Sequence, residues 1–390
     1  MKEECEVSMQ IYRLGEGRDR EAILQKIGVQ SGGVKIMAEK METLWIYIRD
    51  LRTPAANILK QDALSIGADL AVPGGVITCE TERVDALLIA TRAQLRTLAR
   101  KEKAQPFGLK KLAEELKGFL HEPKHPVRIM GVINANEDSF YAGSRFQGSA
   151  AVERIEAMIK EGAAIIDIGG VSSRPGSEPV SAEEELARVK PLCDAVKASR
   201  LHEKALFSID SYTPEVVAYA LESGFGLVND ITGASDERIV RLAVEHGAQL
   251  CLMHMQGTPQ TMQKNPHYED VTAEVDAFFT ERIERCEALG LPRERIILDV
   301  GIGFGKTLEH NLTLLRNHAT FLHHGCELLI GASRKSMIDR IIPTPTEERL
   351  PGTLAIHLKA VENGATIVRC HDVAEHRQAL AVWEAMNPST

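Results

Sequence analysis

The sequence predicts an α/β protein built as a (β/α)8 TIM barrel with a smaller N-terminal α/β domain. Three observations carry that prediction. The chain has 390 residues, enough for one large domain and one small one. Beyond residue 126 one pattern recurs eight times, a short apolar run, a Gly-rich or polar turn, then a longer stretch of helical periodicity. The runs are nearly continuously apolar rather than alternating, as in parallel strands covered by helices on both faces. An open doubly wound sheet shares the last two features, but eight units in about 265 residues fit the closed barrel.

Taken in order, residues 1–120 form the small domain. Apolar periodicity at 22–27, 54–66 and 84–100, with strand-like pieces at 44–48 and 85–90, suggests a small folded α/β domain. The mixed-charge stretch 92–117 reads as a helix broken at Pro106. Residues 121–126 read as a linker, because Pro123 and Pro126 remove amide donors and bias their predecessors away from helix. Residues 127–390 form the barrel. Its strands are predicted at 129–133, 164–168, 206–209, 227–229, 249–253, 296–298, 328–330 and 366–369. Helices are predicted at 150–161, 182–198, 214–222, 272–289 and 352–362, with 374–386 after the last strand.

Composition narrows the function. The net charge is −9, so no broad basic surface points to a nucleic acid or an anionic membrane. The charge is uneven: residues 1–120 hold 19 basic and 17 acidic side chains, the rest 27 and 38. Seven scattered cysteines without a C-x-x-C pair suggest neither a disulfide framework nor a zinc site. The acidic start Met1-Lys2-Glu3-Glu4 is followed by no apolar run, and no long apolar stretch occurs elsewhere. A cytoplasmic protein is expected.

In such a barrel the chemistry sits at the C-terminal ends of the strands. The residues there are polar: Asn134, Ser173-Arg174-Pro175, Asp210, Asn229, His254, Asp299, Ser333-Arg334-Lys335 and Arg369-Cys370-His371-Asp372. Asp210, Asn229 and Asp299 can accept the row of N–H donors of an amino-pyrimidinone edge, or singly they can cap the following helices. Arg174, Lys335, Arg369 and His371 are suited to phosphate, with Asn134 as an oxygen ligand for Mg2+; surface ion pairing is the plainer alternative. The segment Gly301–Lys306 is neither a P-loop nor a dinucleotide fingerprint. It reads as a glycine loop that brings backbone close to a flat ligand, with Phe304 covering it.

In order and spacing, these residues resemble the dihydropteroate synthases over about residues 127–388. The resemblance rests on Met130-Gly-Val-Ile-Asn134, Asp138-Ser-Phe140, Asp167-Ile-Gly-Gly170, Ser173-Arg-Pro-Gly176, Ser208-Ile-Asp210, Asn229-Asp-Ile231, Leu252-Met-His-Met-Gln256, Asp299, Gly303-Phe-Gly-Lys306, Ser333-Arg-Lys-Ser336 and Arg369-Cys-His-Asp372. It implies condensation of 6-hydroxymethyl-7,8-dihydropterin diphosphate with p-aminobenzoate. Asp210, Asn229, Asp299 and Lys335 would then hold the pterin, and Ser173, Pro175, Phe304 and Ser333 the p-aminobenzoate. Arg174, Arg369 and His371 would meet the diphosphate, and Asn134 would bind Mg2+. A homodimer and sensitivity to sulfonamides are implied with them.

An aryl amine is nucleophilic near neutral pH and needs no activated Ser or Cys, so a dissociative displacement is expected. Three departures stand out: Ala135-Asn136-Glu137 in the first loop where the family has Val-Thr-Pro, Ser173 for Thr, and Val300-Gly301-Ile302 for Pro-Gly-Phe. The 120 residues before the barrel resemble an extension that some bacterial members carry. A methyltetrahydrofolate:corrinoid methyltransferase and a non-catalytic pterin-binding paralogue are the rival readings; the first has no need of a phosphate cluster.

Overall fold

The computed structural model describes residues 11, 19–121, 125–135, 147–172, 176 and 180–387. The described chain packs as two compact units, residues up to Glu114 with those from Val382 onward, and Glu115–Ala381.

The first unit holds α1 (Arg20–Lys26), α2 (Ser31–Ala38), β1 (Thr43–Arg52), α3 (Thr53–Ser65), β2 (Asp69–Ala71), β3 (Arg83–Thr91) and α4 (Arg92–Glu102). The three strands form an antiparallel sheet in the order β1-β3-β2, packed against α3 and α4. The strand-like reading of 85–90 holds, and the helical periodicity of 84–100 belongs only to its second part. Val84, Ala86, Leu88 and Ala90 are buried in alternation, the period of a half-covered strand, and helix starts only at Arg92. Thr91 sets that start with a capping box, its hydroxyl accepting from the Gln94 amide while the Gln94 side chain returns to the Thr91 amide. Helix α2 and strand β2 are additions. A Gly-Gly pair weakens the helical signal of the first, and three residues are too few to show a period in the second.

Helix α5 (Leu109–Gly118) leads to the barrel. Its elements are β4 (Arg128–Asn134), α6 (Gln147–Glu161), β5 (Ala163–Gly169), α7 (Ala182–Ala198), β6 (Leu206–Asp210), α8 (Pro214–Glu222), β7 (Leu227–Asp230) and α9 (Glu237–Glu245). They continue with β8 (Gln249–Met253), α10 (Val271–Ala288), β9 (Ile296–Asp299), α11 (Leu308–Arg316), β10 (Glu327–Ile330), α12 (Ser336–Ile341), α13 (Leu350–Glu362), β11 (Ile367–Cys370) and α14 (Val373–Met386). Strands β4 to β11 close into one parallel barrel, β11 pairing back onto β4.

The lumen is layered. Met130, Ile165, Leu206, Leu227, Cys251, Ile297, Leu329 and Ile367 pack together, one from each strand, and form an apolar floor. Side chains two residues further along a strand share its face. The layer above that floor therefore holds Asp167, Ser208, Asn229, Asp299 and Arg369, with Asp210 and Asn134 one step higher.

Candidate active site

Arg369 lies at the centre of this polar layer. Its Nε donates to Oδ2 of Asp167 at 2.7 Å, and its Nη2 donates to Oδ2 of Asp210, also at 2.7 Å. Asn229 Nδ2 donates to the same Asp167 oxygen at 3.2 Å. Asp167 has no exposure at all, and a buried carboxylate with this geometry requires its arginine. Its Oδ1 and the Oγ of Ser208 have no hydrogen-bond partner among the described residues. Burial pushes the Asp210 carboxyl up to about 7, the Arg369 charge opposing the rise and Asp167 adding to it. Asp299 is also raised by burial, with the Gly301 amide and the Lys335 charge pulling it back.

The loop after β9 is built around Asp299, whose Oδ1 accepts from the Gly301 amide at 2.8 Å. Gly301 adopts φ +66° and a Cβ there would lie 2.0 Å from the His254 carbonyl oxygen, so the turn admits only glycine. Phe304 joins Ile231, Met253 and Met262 in an apolar wall, and the Lys335 Nζ sits 4.3 Å from the centre of its ring.

Lys335 follows Arg334, which is held at φ +55° by two bonds to Asp372, at 2.6 and 3.0 Å, and by the Thr353 hydroxyl accepting from its amide. The strained backbone at Arg334 is thus fixed by three bonds to two partners, and it sets the direction of Lys335. Ser333 Oγ accepts from the His371 amide and lies 2.9 Å from Nδ1 of the same histidine.

Two arrangements escaped sequence reasoning. Lys306 is buried and bonded to Nδ1 of His254 and to the carbonyls of Phe304 and His254, and burial pushes it down to about 7. His254 is pushed down to about 2 by burial and by that lysine. The second is a relay beneath the last two loops. His376 Nδ1 bonds the Asp372 carbonyl at 2.6 Å, His376 Nε2 and His357 Nδ1 are 2.9 Å apart, and His357 Nε2 accepts from the Ala332 amide at 3.0 Å. A carbonyl at one end and an N–H at the other fix the proton order, so both rings are neutral with Nδ1 protonated.

The structure thus brings Asp210, Asn229, Asp299, Phe304, Ser333, Lys335, Arg369 and His371 to one rim or lumen, with Asn134 at the end of β4. Arg174, Ser173, Pro175 and the first-loop residues Asn136, Glu137 and Asp138 lie outside the described residues. Asp167 is the residue that sequence reasoning left without a role. Its signal was a lone carboxylate inside an otherwise apolar strand.

No helix among the described residues is long and apolar enough to cross a membrane. A family model described as pterin binding enzyme matches residues 130–371. A bifunctional dihydropteroate synthase/dihydropteroate reductase from Helicobacter pylori is 40% identical over 364 residues, 93% of this chain and 95% of that protein. A dihydropteroate synthase from Escherichia coli is 45% identical over 262 residues, 67% of this chain and 92% of its own. Among solved structures, the Yersinia pestis dihydropteroate synthase in a sulfonamide drug complex superposes with TM-score 0.63 at 37% identity, covering 69% of this chain and 96% of that one. The Thermus thermophilus enzyme in complex with 4-aminobenzoate gives 0.60 at 42% identity, covering 67% and 95%. With the barrel, the layered polar lumen and these matches in hand, the chain belongs to the dihydropteroate synthase family of pterin binding enzymes.

Proposed function

We propose that this transferase condenses 6-hydroxymethyl-7,8-dihydropterin diphosphate with p-aminobenzoate, giving 7,8-dihydropteroate and diphosphate. The observation that carries the reading is the set of carboxylates and amide above the apolar floor, in which Asp167 Oδ1 still lacks a donor. A buried acceptor without a partner costs about 1–3 kcal/mol, so the lumen is suited to a ligand that brings N–H groups to it. Asp210, Asn229 and Asp299 take the pterin edge, and the Lys335 ammonium donates from above. The Lys335 stem, Phe304 and Ser333, with Ser173 and Pro175, form the p-aminobenzoate pocket.

The C–O bond to diphosphate breaks with its electron pair leaving on oxygen. The arylamine nitrogen then bonds the methylene carbon and gives up its proton. Positive charge on the pterinylmethyl group is met by the carboxylates, and negative charge on the leaving group by Arg174, Arg369 and His371. Arg369 gives one proton each of Nε and Nη2 to Asp167 and Asp210, and its remaining N–H groups, both of Nη1 among them, bond no other described residue and suit an anion. His371 is held beside Ser333, whose Oγ accepts from the His371 amide and lies 2.9 Å from its Nδ1, and this places the ring next to the p-aminobenzoate pocket.

The residues fit a Mg2+ ion held largely by substrate. Asn134 offers one neutral oxygen at the end of β4, and its carboxamide bonds no described residue. When bound, the ion neutralises developing charge on the diphosphate. Mg2+ is expected to bind weakly to the free chain and tightly with the pterin diphosphate. Calorimetry giving equal affinities in the two cases counts against this. The scattered and largely buried thiols and the net charge of −9 support a cytoplasmic enzyme of small substrates with no nucleic acid or membrane partner. We also propose a homodimer, to be checked by sedimentation.

Mixing the purified chain with both substrates and Mg2+ tests the whole reading, with dihydropteroate and diphosphate expected in equal amounts. Diphosphate alone points to another acceptor. Neither product would leave a binding protein only.

A further inference from the structure

A second meeting of titratable side chains lies away from the barrel mouth and has no part in the chemistry above. Asp276 is on α10, and His323 and His324 end the 3-10 turn His318–His324 that precedes β10. Nε2 of His323 is 2.6 Å, and Nε2 of His324 2.9 Å, from the same oxygen, Oδ1 of Asp276. We propose that Asp276, His323 and His324 form a binding site for a divalent transition-metal ion of the Zn2+ type, completed by water.

The donor set decides the class of ion. Two imidazoles and a carboxylate suit Zn2+, Co2+ or Ni2+, whereas Mg2+ and Ca2+ prefer all-oxygen shells. The spacing is nearly that of a bound ion. Ligands each about 2.0–2.1 Å from a tetrahedral ion lie roughly 3.3 Å from one another, so the carboxylate need withdraw by only about half an ångström. The three ligand atoms all fall within 4.8 Å of one another.

The rings are also held before any ion arrives. Phe119 stacks on His323 at 5.2 Å and 27°, and Phe279 meets His324 edge-on at 82°. Gly118 lets the end of α5 lie against the His323 backbone, where a Cβ would come within 2.7 Å of its carbonyl oxygen. A preorganised shell of this kind lowers the cost of binding.

The nearby cation does not oppose the ion strongly. Arg293, which reaches the His324 carbonyl, is neutralised by both oxygens of Glu287 at 2.7 and 2.8 Å. Each Nε2 that donates to the Asp276 carboxylate carries a ring proton there, so an ion binds with that proton moved to Nδ1 or released to solvent. His324 is buried, while Asp276 and His323 keep 29% and 17% of their side-chain surface, which gives an ion and its waters a way in. Without an ion, the same atoms make a plain hydrogen-bonded His-Asp-His cluster. The two possibilities differ in what the chain does with metal.

The test titrates the full chain, first treated with chelator and held in excess Mg2+, with Zn2+ by calorimetry and with Co2+ by visible d–d absorption. One site per chain is expected, with a rise in melting temperature on Zn2+ addition. His323→Gln, at a partly exposed position, and Asp276→Asn are expected to weaken binding at least about tenfold while keeping the far-UV circular dichroism. A wild-type chain that binds neither ion overturns the proposal, whatever the variants do. So does binding that persists unchanged in His323→Gln, since it then belongs to cysteines or other histidines.

Discussion

Lys335 places one long side chain against two kinds of surface, its ammonium 4.3 Å over the Phe304 ring and its charge felt by Asp210 and Asp299. Lys335→Ala is expected to raise both Michaelis constants and lower turnover, a combined loss on the order of 3 kcal/mol, about a hundredfold or more. Lys335→Arg should not restore it, because a planar guanidinium does not fit over the ring and reach the carboxylates together. Steady-state kinetics retaining more than about a third of wild-type efficiency in Lys335→Ala would reduce this lysine to a surface ion pair. His318 poses a different question at the same scale. It is fully buried, and burial pushes it down to about 4. An unfolded histidine takes up its proton below about pH 6.5 while this one does not, so its contribution is intact above that pH and is lost as pH falls toward 4. His318→Phe should thus gain on the wild type as pH drops, by about 2 kcal/mol at pH 5. Urea midpoints at pH 7.5 and 5 check it; an unchanged difference between the two chains rejects it. Residue identities at the rim were legible because a polar residue after an apolar run is conspicuous. Asp167 was passed over, because a lone carboxylate inside an apolar run was read with the strand and not with the rim.

The relay from Ala332 through His357 and His376 to the Asp372 carbonyl ties together the loops after β10 and β11 by way of α13 and α14. Ala332 adjoins Ser333 and Asp372 adjoins His371, so the relay sets the distance across which those two groups meet. His357→Phe leaves the Ala332 amide without an acceptor and is expected to cost about 2 kcal/mol of stability. The Michaelis constant for p-aminobenzoate should rise several-fold more than that for the pterin diphosphate, since the damage lies on the Ser333 side. Equal rises would mean general loosening. The eight strands were legible to within one residue, because parallel strands buried on both faces show nearly continuous apolar runs; α7, α8, α10, α13 and α14 were legible to within two, while α9, α11 and α12 were not singled out. The relay and the Lys306–His254 contact were not, since their partners lie 19 and 52 residues apart and meet only when the barrel closes. In the first unit, β3 was half hidden because its alternation runs directly into an amphipathic helix.

Over the whole molecule, the E. coli relative is matched over 262 residues, which make up 92% of it, so it has no room for a unit like the one before Glu114. A chain beginning near Pro123 is accordingly expected to keep its turnover and its barrel circular dichroism, and to lose solubility or assembly. A soluble, folded truncation with under about a hundredth of the full rate would make the first unit part of the chemistry. The apolar floor of the barrel has a consequence of its own. Eight packed side chains shut the lumen from below, so it is a cup with a single opening. Whatever lies on Asp167, Asn229 and Asp299 occupies the bottom of that cup, and whatever lies on Phe304 and Ser333 covers it. On the substrate assignment proposed above, the pterin is expected to arrive before the aryl amine, and an aryl amine that comes first to block its partner's way in. Traffic through one doorway imposes a sequence of arrivals that neither binding pocket, taken alone, would require.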